Sequence, residues 1–155
     1  MDPLTMLKKQ HREVDALFKR AEKSERPDER RRIVAEIKEN LELHMRLEEE
    51  MFYPAVREAP AKAAEDTVLE AYEEHAVAKA AMARLSETDP EDERFSAKTT
   101  VLHELIKHHV KEEEQEMFKL AKKLGKDELR ALGEQMVGML PETQQRKLSA
   151  RRRAA

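Results

Sequence analysis

The chain has 155 residues, of which 41% are charged and 39% hydrophobic, and its formal net charge is −3 at pH 7. Its length suits one domain, its lack of cysteine excludes disulfides, thiolate metal sites and cysteine nucleophiles, and its charge balance gives no bias towards nucleic acid or anionic membrane. No apolar run approaches the roughly 20 residues that span a bilayer, and the opening MDPLTMLKKQ lacks the apolar segment of a signal peptide. A cytoplasmic protein is expected, without a nucleic-acid or membrane partner.

Only three glycines interrupt a chain rich in Ala, Leu, Glu, Lys and Arg, the residues that helices accommodate most cheaply. Asp2 suits an N-cap and Pro3 the first position of a helix predicted over 3–22. On it Leu4, Leu7, His11, Val14 and Phe18 recur at three- and four-residue intervals and form one buried stripe. SERPDE reads as a turn. A second helix is predicted over 28–53, with the stripe Ile33, Ile37, Leu41, His44, Glu48 and Met51. Pro54 is expected to end or kink it, because proline has no N–H and crowds the preceding turn.

After Pro60 a third helix is predicted over 61–86, with Val68, Ala71 or Tyr72, His75, Ala78, Met82 and Leu85 on its stripe. SETDPED forms the next loop. The fourth helix is predicted over 91–124 and carries Leu102, Leu105, Ile106, His109, Glu113, Met117 and Leu120, with Gly125 as its stop. A short helix ending at Pro141 presents Leu129, Leu132, Met136 and Met139 to one end or side of the others. From Glu142 to the basic RRRAA the chain reads as weakly ordered. The expectation is an all-α, up-down-up-down antiparallel four-helix bundle over 1–124, a short additional C-terminal helix over 125–141 and a tail over 142–155.

Two stretches repeat. HMRLEEEMFYP starts at His44 and HVKEEEQEMFK at His109, so that Glu48 matches Glu113, Glu49 matches Glu114 and Tyr53 matches Phe118. His11 lies 33 residues before His44, and His75 lies 34 before His109. The chain thus reads His, His-x3-Glu, His, His-x3-Glu: two helix pairs in tandem.

Residues four apart on a helix point the same way, about 6 Å apart in height. His44 and Glu48 therefore share a face, as do His109 and Glu113, and all lie on stripes otherwise made of Leu, Ile and Met. Burying an ionised carboxylate without a partner costs several kcal/mol, so something cationic is required. Four imidazoles and two carboxylates from four helices meet that need by holding metal. Imidazole with carboxylate suits iron, and less well manganese or zinc. A natural division puts His11, His44 and Glu48 on one ion and His75, His109 and Glu113 on the other, although each carboxylate can also bridge two ions. Room is left for water, oxide or a ligand such as dioxygen, peroxide or nitric oxide.

The segments QHREVDALF, LHMRLEEEMFYPA, EEHAVAKAAMARL and HHVKEEEQEMF, within residues 4–124, resemble the hemerythrin family, in particular its HHE cation-binding domains. The resemblance implies a non-haem centre of two iron ions with an oxo or hydroxo bridge. Its metal ligands carry over to His11, His44, Glu48, His75, His109 and Glu113. The invertebrate oxygen carriers have a further histidine one turn after the third, where this chain has Lys79. That favours redox reactivity, sensing of a small molecule or iron handling over reversible oxygen carriage. The Glu-x-x-His signature of ferritin-like bundles is absent, since Leu41, Tyr72 and Ile106 precede His44, His75 and His109 by three.

Other polar residues read more plainly. His103 is expected on the surface, and His108 and Glu114 are the register alternatives to His109 and Glu113. Asp15 is either a surface residue or a partner of His11; Lys79 reads as pointing outward, with a hydrogen bond to a bound oxygen species as its alternative; and Tyr53, Phe52 and Phe118 are expected to close one end of the bundle, with reach into the metal pocket as the alternative for Tyr53. The alternative function is a non-catalytic helical interaction module whose histidines are structural or hold zinc. It draws on the charged surface and the basic tail.

Overall fold

Asp2 opens the first helix by accepting from the backbone N–H of Leu4 at 3.3 Å and of Thr5 at 3.2 Å. Helix α1 then runs Pro3–Lys23, with Pro3 in its first turn where a missing N–H costs nothing. The computed structural model describes residues 1–155 and is helical with no strand. Helix α2 spans 27–57: an α-helical part Pro27–Leu47, one wide i→i+5 turn Glu48–Phe52, and a last part Tyr53–Arg57. Helix α3 is Ala64–Ser86. Helix α4 spans 95–122 and repeats the pattern of α2, as Phe95–Glu112, a wide turn Glu113–Met117, and Phe118–Lys122. Helix α5 is Lys126–Met139 and α6 is Glu142–Ala154.

The predicted boundaries shift at three places. Pro54 neither ends nor sharply breaks α2. In the wide turn the Tyr53 N–H reaches back five residues to the Glu48 carbonyl, so the donor Pro54 lacks is the one that Glu49 would have received. The Tyr72 hydroxyl from α3 donates to that Glu49 carbonyl instead, at 3.0 Å. Helix α4 starts later than expected because the side chains of Asp89 and Asp92 accept from the N–H groups of Glu91 and Arg94 at 2.9 and 2.7 Å, holding local turns. The segment from Glu142, expected to be weakly ordered, is the helix α6, although it buries no residue. Gly125 stops α4 as anticipated, with a φ of 93°.

Helix α1 packs on α2 and α4, and α3 packs on α2 and α4, which closes a ring. Two apolar clusters fill it. One contains Leu7, Leu47, Phe52, Val56, Val68, Met117 and Phe118, and α5 adds Leu132 and Met136 to it. The other contains Val14, Phe18, Ile33, Ile37, Leu41, Met82, Leu85, Phe95 and Leu102. The four histidines of the repeat lie between them in sequence: His11 between Leu7 and Val14, His44 between Leu41 and Leu47.

Candidate metal centre

The four repeat histidines and two repeat glutamates are all buried, with Glu48 at 0% and Glu113 at 2% exposure. They form two adjoining groups. In the first, the Nε2 atoms of His11 and His44 lie 3.1 Å apart. Glu48 Oε1 is 2.9 Å from His44 Nε2, and Glu113 Oε1 is 3.2 Å from His11 Nε2. In the second, the Nε2 atoms of His75 and His109 also lie 3.1 Å apart. Glu48 Oε2 is 3.0 Å from His75 Nε2, and Glu113 Oε2 is 3.2 Å from His109 Nε2.

Each glutamate thus sends one oxygen to each group. Giving Glu48 to one ion and Glu113 to the other does not match this geometry. Both carboxylates are shared, because they enter from α2 and α4 on opposite sides of the ring and meet along its axis.

Outside this layer, polar groups take the far nitrogen of three rings. His11 Nδ1 meets Glu114 Oε1 at 2.8 Å, His44 Nδ1 meets Gln10 Oε1 at 2.7 Å, and His109 Nδ1 meets Glu74 Oε1 at 3.2 Å. With Nδ1–H donating outward, each Nε2 turns a lone pair inward, the tautomer a metal ligand needs. His75 Nδ1 is the exception and has no hydrogen-bond partner. Glu49 stands 3.5 Å from it, while Glu49 is held by Lys79 Nζ at 2.7 Å.

The Tyr53 hydroxyl enters the second group only. It lies 2.7 Å from Glu113 Oε2, 3.1 Å from Glu48 Oε2, 3.0 Å from His75 Nε2 and 3.2 Å from His109 Nε2. One phenol proton cannot satisfy four acceptors. In the first group, Glu48 Oε1 and Glu113 Oε1 are buried with no hydrogen bond, although His44 Nε2 is within ion-pair distance of the former and His11 Nε2 of the latter. The layer is short of positive charge, and the shortage falls where the ring nitrogens converge. A cation in each group would supply it, so the residues present fit metal.

Without one, protons are drawn in. Burial pushes His11 and His109 down, but the carboxylates of Glu113, Glu48 and, for His109, Glu74 outweigh it and raise both to about 10. Burial likewise raises Glu48, yet the surrounding imidazoles hold it well below the ordinary carboxylate range. Burial and the two carboxylates push the Tyr53 phenol far up.

All six residues singled out by the repeat are brought together. Of the register alternatives, His108 is exposed outside the layer, and Glu114 reaches the outer nitrogen of His11. Three readings are corrected. Tyr53 does not merely close an end, since its hydroxyl sits among the candidate ligands. In an α-helix a residue five after Glu48 would point about 140° away, but the i→i+5 turn brings Tyr53 back over it. His103 is not on the surface: it is 4% exposed, stacks on Phe18 at 4.7 Å, and bonds Asp15 at 2.7 Å and Glu22 at 2.6 Å. Asp15 accordingly serves His103 and not His11. Lys79 does turn outward, to Glu49. A hint of the His103 contacts existed in Asp15 and Glu22, which lie two turns apart on one face of α1.

The hemerythrin HHE cation binding domain family model matches residues 2–121. No curated protein matches the chain. Among solved structures, the chain is similar to a hemerythrin HHE cation binding domain-containing protein from Mycobacterium kansasii. The two share a TM-score of 0.79 and 23% identity, over 89% of this chain and 84% of that one. With a family match across most of its length and a buried His/Glu layer able to hold metal, the chain belongs to the hemerythrin HHE cation-binding domain family.

Proposed function

We propose that this is a non-haem di-iron protein that binds or reacts with dioxygen, peroxide or nitric oxide, in sensing, detoxification or iron handling. The carrying observation is the pair of adjoining groups that share both carboxylates: His11 with His44, and His75 with His109, each completed by Glu48 and Glu113. The ring of α1–α4 is then an up-down-up-down bundle whose middle layer is the metal centre. An all-nitrogen and oxygen donor set favours iron over copper(I), with manganese and zinc as weaker fits. The cysteine-free composition agrees with a reducing cytoplasm.

When bound, the ions would supply redox change and Lewis acidity. The chain's own residues do the rest. His11, His44, Glu48, His75, His109 and Glu113 would hold the ions, while Glu114, Gln10 and Glu74 keep three imidazoles in the ligating tautomer. Tyr53 places an O–H within reach of Glu113 and can move a proton to or from that carboxylate. A cavity of about 10 Å³ touches all four repeat histidines and is walled by Val14, Leu41, Met45, Ile106 and Val110. It is at the lower limit for one water molecule, which leaves room for a small ligand on the ions and none for an organic substrate.

The test is metal content per chain after aerobic purification, with the ultraviolet–visible spectrum, followed by peroxide, nitric oxide and dithionite in turn. About two irons per chain are expected. His44→Ala and Glu113→Ala should each lose metal while retaining helix content. Undiminished iron in both variants, or zinc alone after anaerobic iron loading, would overturn the reading.

A further inference from the structure

The chain contains two tyrosines, no tryptophan and no cysteine. Those three residue types give up a single electron most readily, whereas methionine is oxidised by oxygen transfer to its sulfur. The two tyrosines lie together. Their rings are 5.3 Å apart between centroids and nearly perpendicular, at 83°, an edge-to-face contact.

The pair runs from the candidate centre towards the surface. Tyr53 is fully buried, and its hydroxyl lies 2.7 Å from Glu113 Oε2. Tyr72, on α3, is half-buried and donates to the Glu49 carbonyl at 3.0 Å. The other half of the repeat has no such pair. There Phe118 meets His11 and the fully buried Phe52, and a phenyl ring is far harder to oxidise than a phenol. The cavity of about 10 Å³ at the centre admits no organic molecule. Electrons from an organic donor therefore have to cross protein. Tunnelling falls steeply with distance, so oxidisable rings in contact carry them best.

We infer that Tyr53 and Tyr72 form a one-electron route between the candidate metal centre and a small organic reductant of the ascorbate class at the surface. The inference rests on the di-iron reading above, with peroxide as the oxidant. One peroxide takes up two electrons and two protons and becomes two waters. Two donor molecules, each losing one electron and one proton, balance it. Each electron enters at Tyr72, passes to Tyr53 and reaches the peroxide. The donor's protons enter the solvent, and the peroxide draws the same number from it. Burial and the neighbouring carboxylates push both phenols up, so each ring releases its proton along with its electron. The Tyr53 proton crosses to Glu113 and returns when Tyr72 reduces the ring. The Tyr72 proton passes to water and is replaced when the donor reduces Tyr72.

The experiment mixes iron-loaded, full-length protein with peroxide, freezes it at intervals and reads it by electron paramagnetic resonance, with and without ascorbate. Compared are the unaltered chain, Tyr53→Phe, Tyr72→Phe and Tyr72→Trp, with iron per chain measured in each. The unaltered chain should give a tyrosyl signal that ascorbate removes. Tyr72→Phe should keep a signal on Tyr53 that outlasts ascorbate. Tyr72→Trp restores an oxidisable ring without the phenol hydroxyl, so ascorbate sensitivity should return. Tyr53→Phe should lose the signal. Iron per chain should be equal in all four. Iron held with no tyrosyl signal in the unaltered chain overturns the route and leaves the centre standing. So do equal quenching in Tyr72→Phe, a full signal in Tyr53→Phe, or Tyr72→Trp behaving as Tyr72→Phe. Loss of iron from a Tyr72 variant alone would make that residue a structural support and also overturn the route. Failure of the unaltered chain to hold iron overturns both readings.

Discussion

Tyr53 is where the two halves of the repeat part company. Its counterpart is Phe118, so only the group of His75 and His109 has a hydroxyl, 3.0 and 3.2 Å from those ring nitrogens. The first group has in its place the Phe118 ring, stacked on His11 at 6.3 Å. Two ions held here would sit in unequal surroundings. Tyr53→Phe keeps the ring that packs against Phe52 and Tyr72 and removes only the oxygen. The expected result is two irons per chain as before, with loss or displacement of a visible band in the ferric protein, read by absorption spectroscopy. An unchanged spectrum would mean that the phenol does not act on the ions through Glu113. His103 shows the opposite case: a histidine on a helix of this ring, fully satisfied by Asp15 and Glu22, that belongs to no metal group.

The wide turns at Glu48–Phe52 and Glu113–Met117 are the features of the helices that matter most for the site. Each begins at a candidate ligand, and wide turns of this kind collect at functional positions. Each also shifts the register of everything after it, which is why Tyr53 and Phe118 come to face the layer. Tyr72 stabilises the first by serving the carbonyl that Pro54 leaves open.

Helix α5 is seated by a different device. Gly133 lies against the backbone of Met1, and a Cβ there would meet it in overlap. Gly138, in the same helix, has open space around it. Gly133→Ala should therefore lower the melting temperature by several degrees as the N-terminus is displaced. Gly138→Ala should raise stability by about 0.4–1 kcal/mol through the less flexible unfolded chain. Thermal melts of the two variants in parallel decide it, and equal effects would contradict the seating.

The buried charge layer sets how the whole molecule responds to pH without metal. His11 and His109 are raised from 6.5 to about 10 in the folded chain. Their contribution is fully present below about pH 6.5 and is lost as pH climbs through about 10. Glu48 is lowered from 4.5, so its contribution is present above that value and fades as pH falls through its depressed folded value. The stripped protein should be most stable between these limits, at about pH 4.5–6.5, and weaken steadily towards pH 10. Metal binding requires the same groups deprotonated and so gains with pH. The difference in melting temperature between loaded and stripped protein should widen from about pH 6.5 to pH 9, as followed by circular dichroism. Parallel curves would mean that these imidazoles are not where the metal binds.

Sequence alone determined the first five helices, the order of the repeat and the six residues of the layer, but not the helix that starts at Glu142. Those follow from periodicity, and a duplicated His-x3-Glu on an apolar stripe has to be buried with its charge compensated. It left open whether the carboxylates are shared and whether Tyr53 reaches the His/Glu layer, and it missed that His103 is buried. Sharing depends on the distance between facing helices. Tyr53 depends on one extra residue in a single turn, which moves it from the far side of α2 to the near one. His103 depends on α4 touching α1 as well as α3, which widens its buried arc beyond the stripe that helical spacing marks out. The first and last are contacts between elements remote in sequence, and the local turn before Tyr53 is itself supported from α3 by the Tyr72 hydroxyl, so only tertiary packing decides all three.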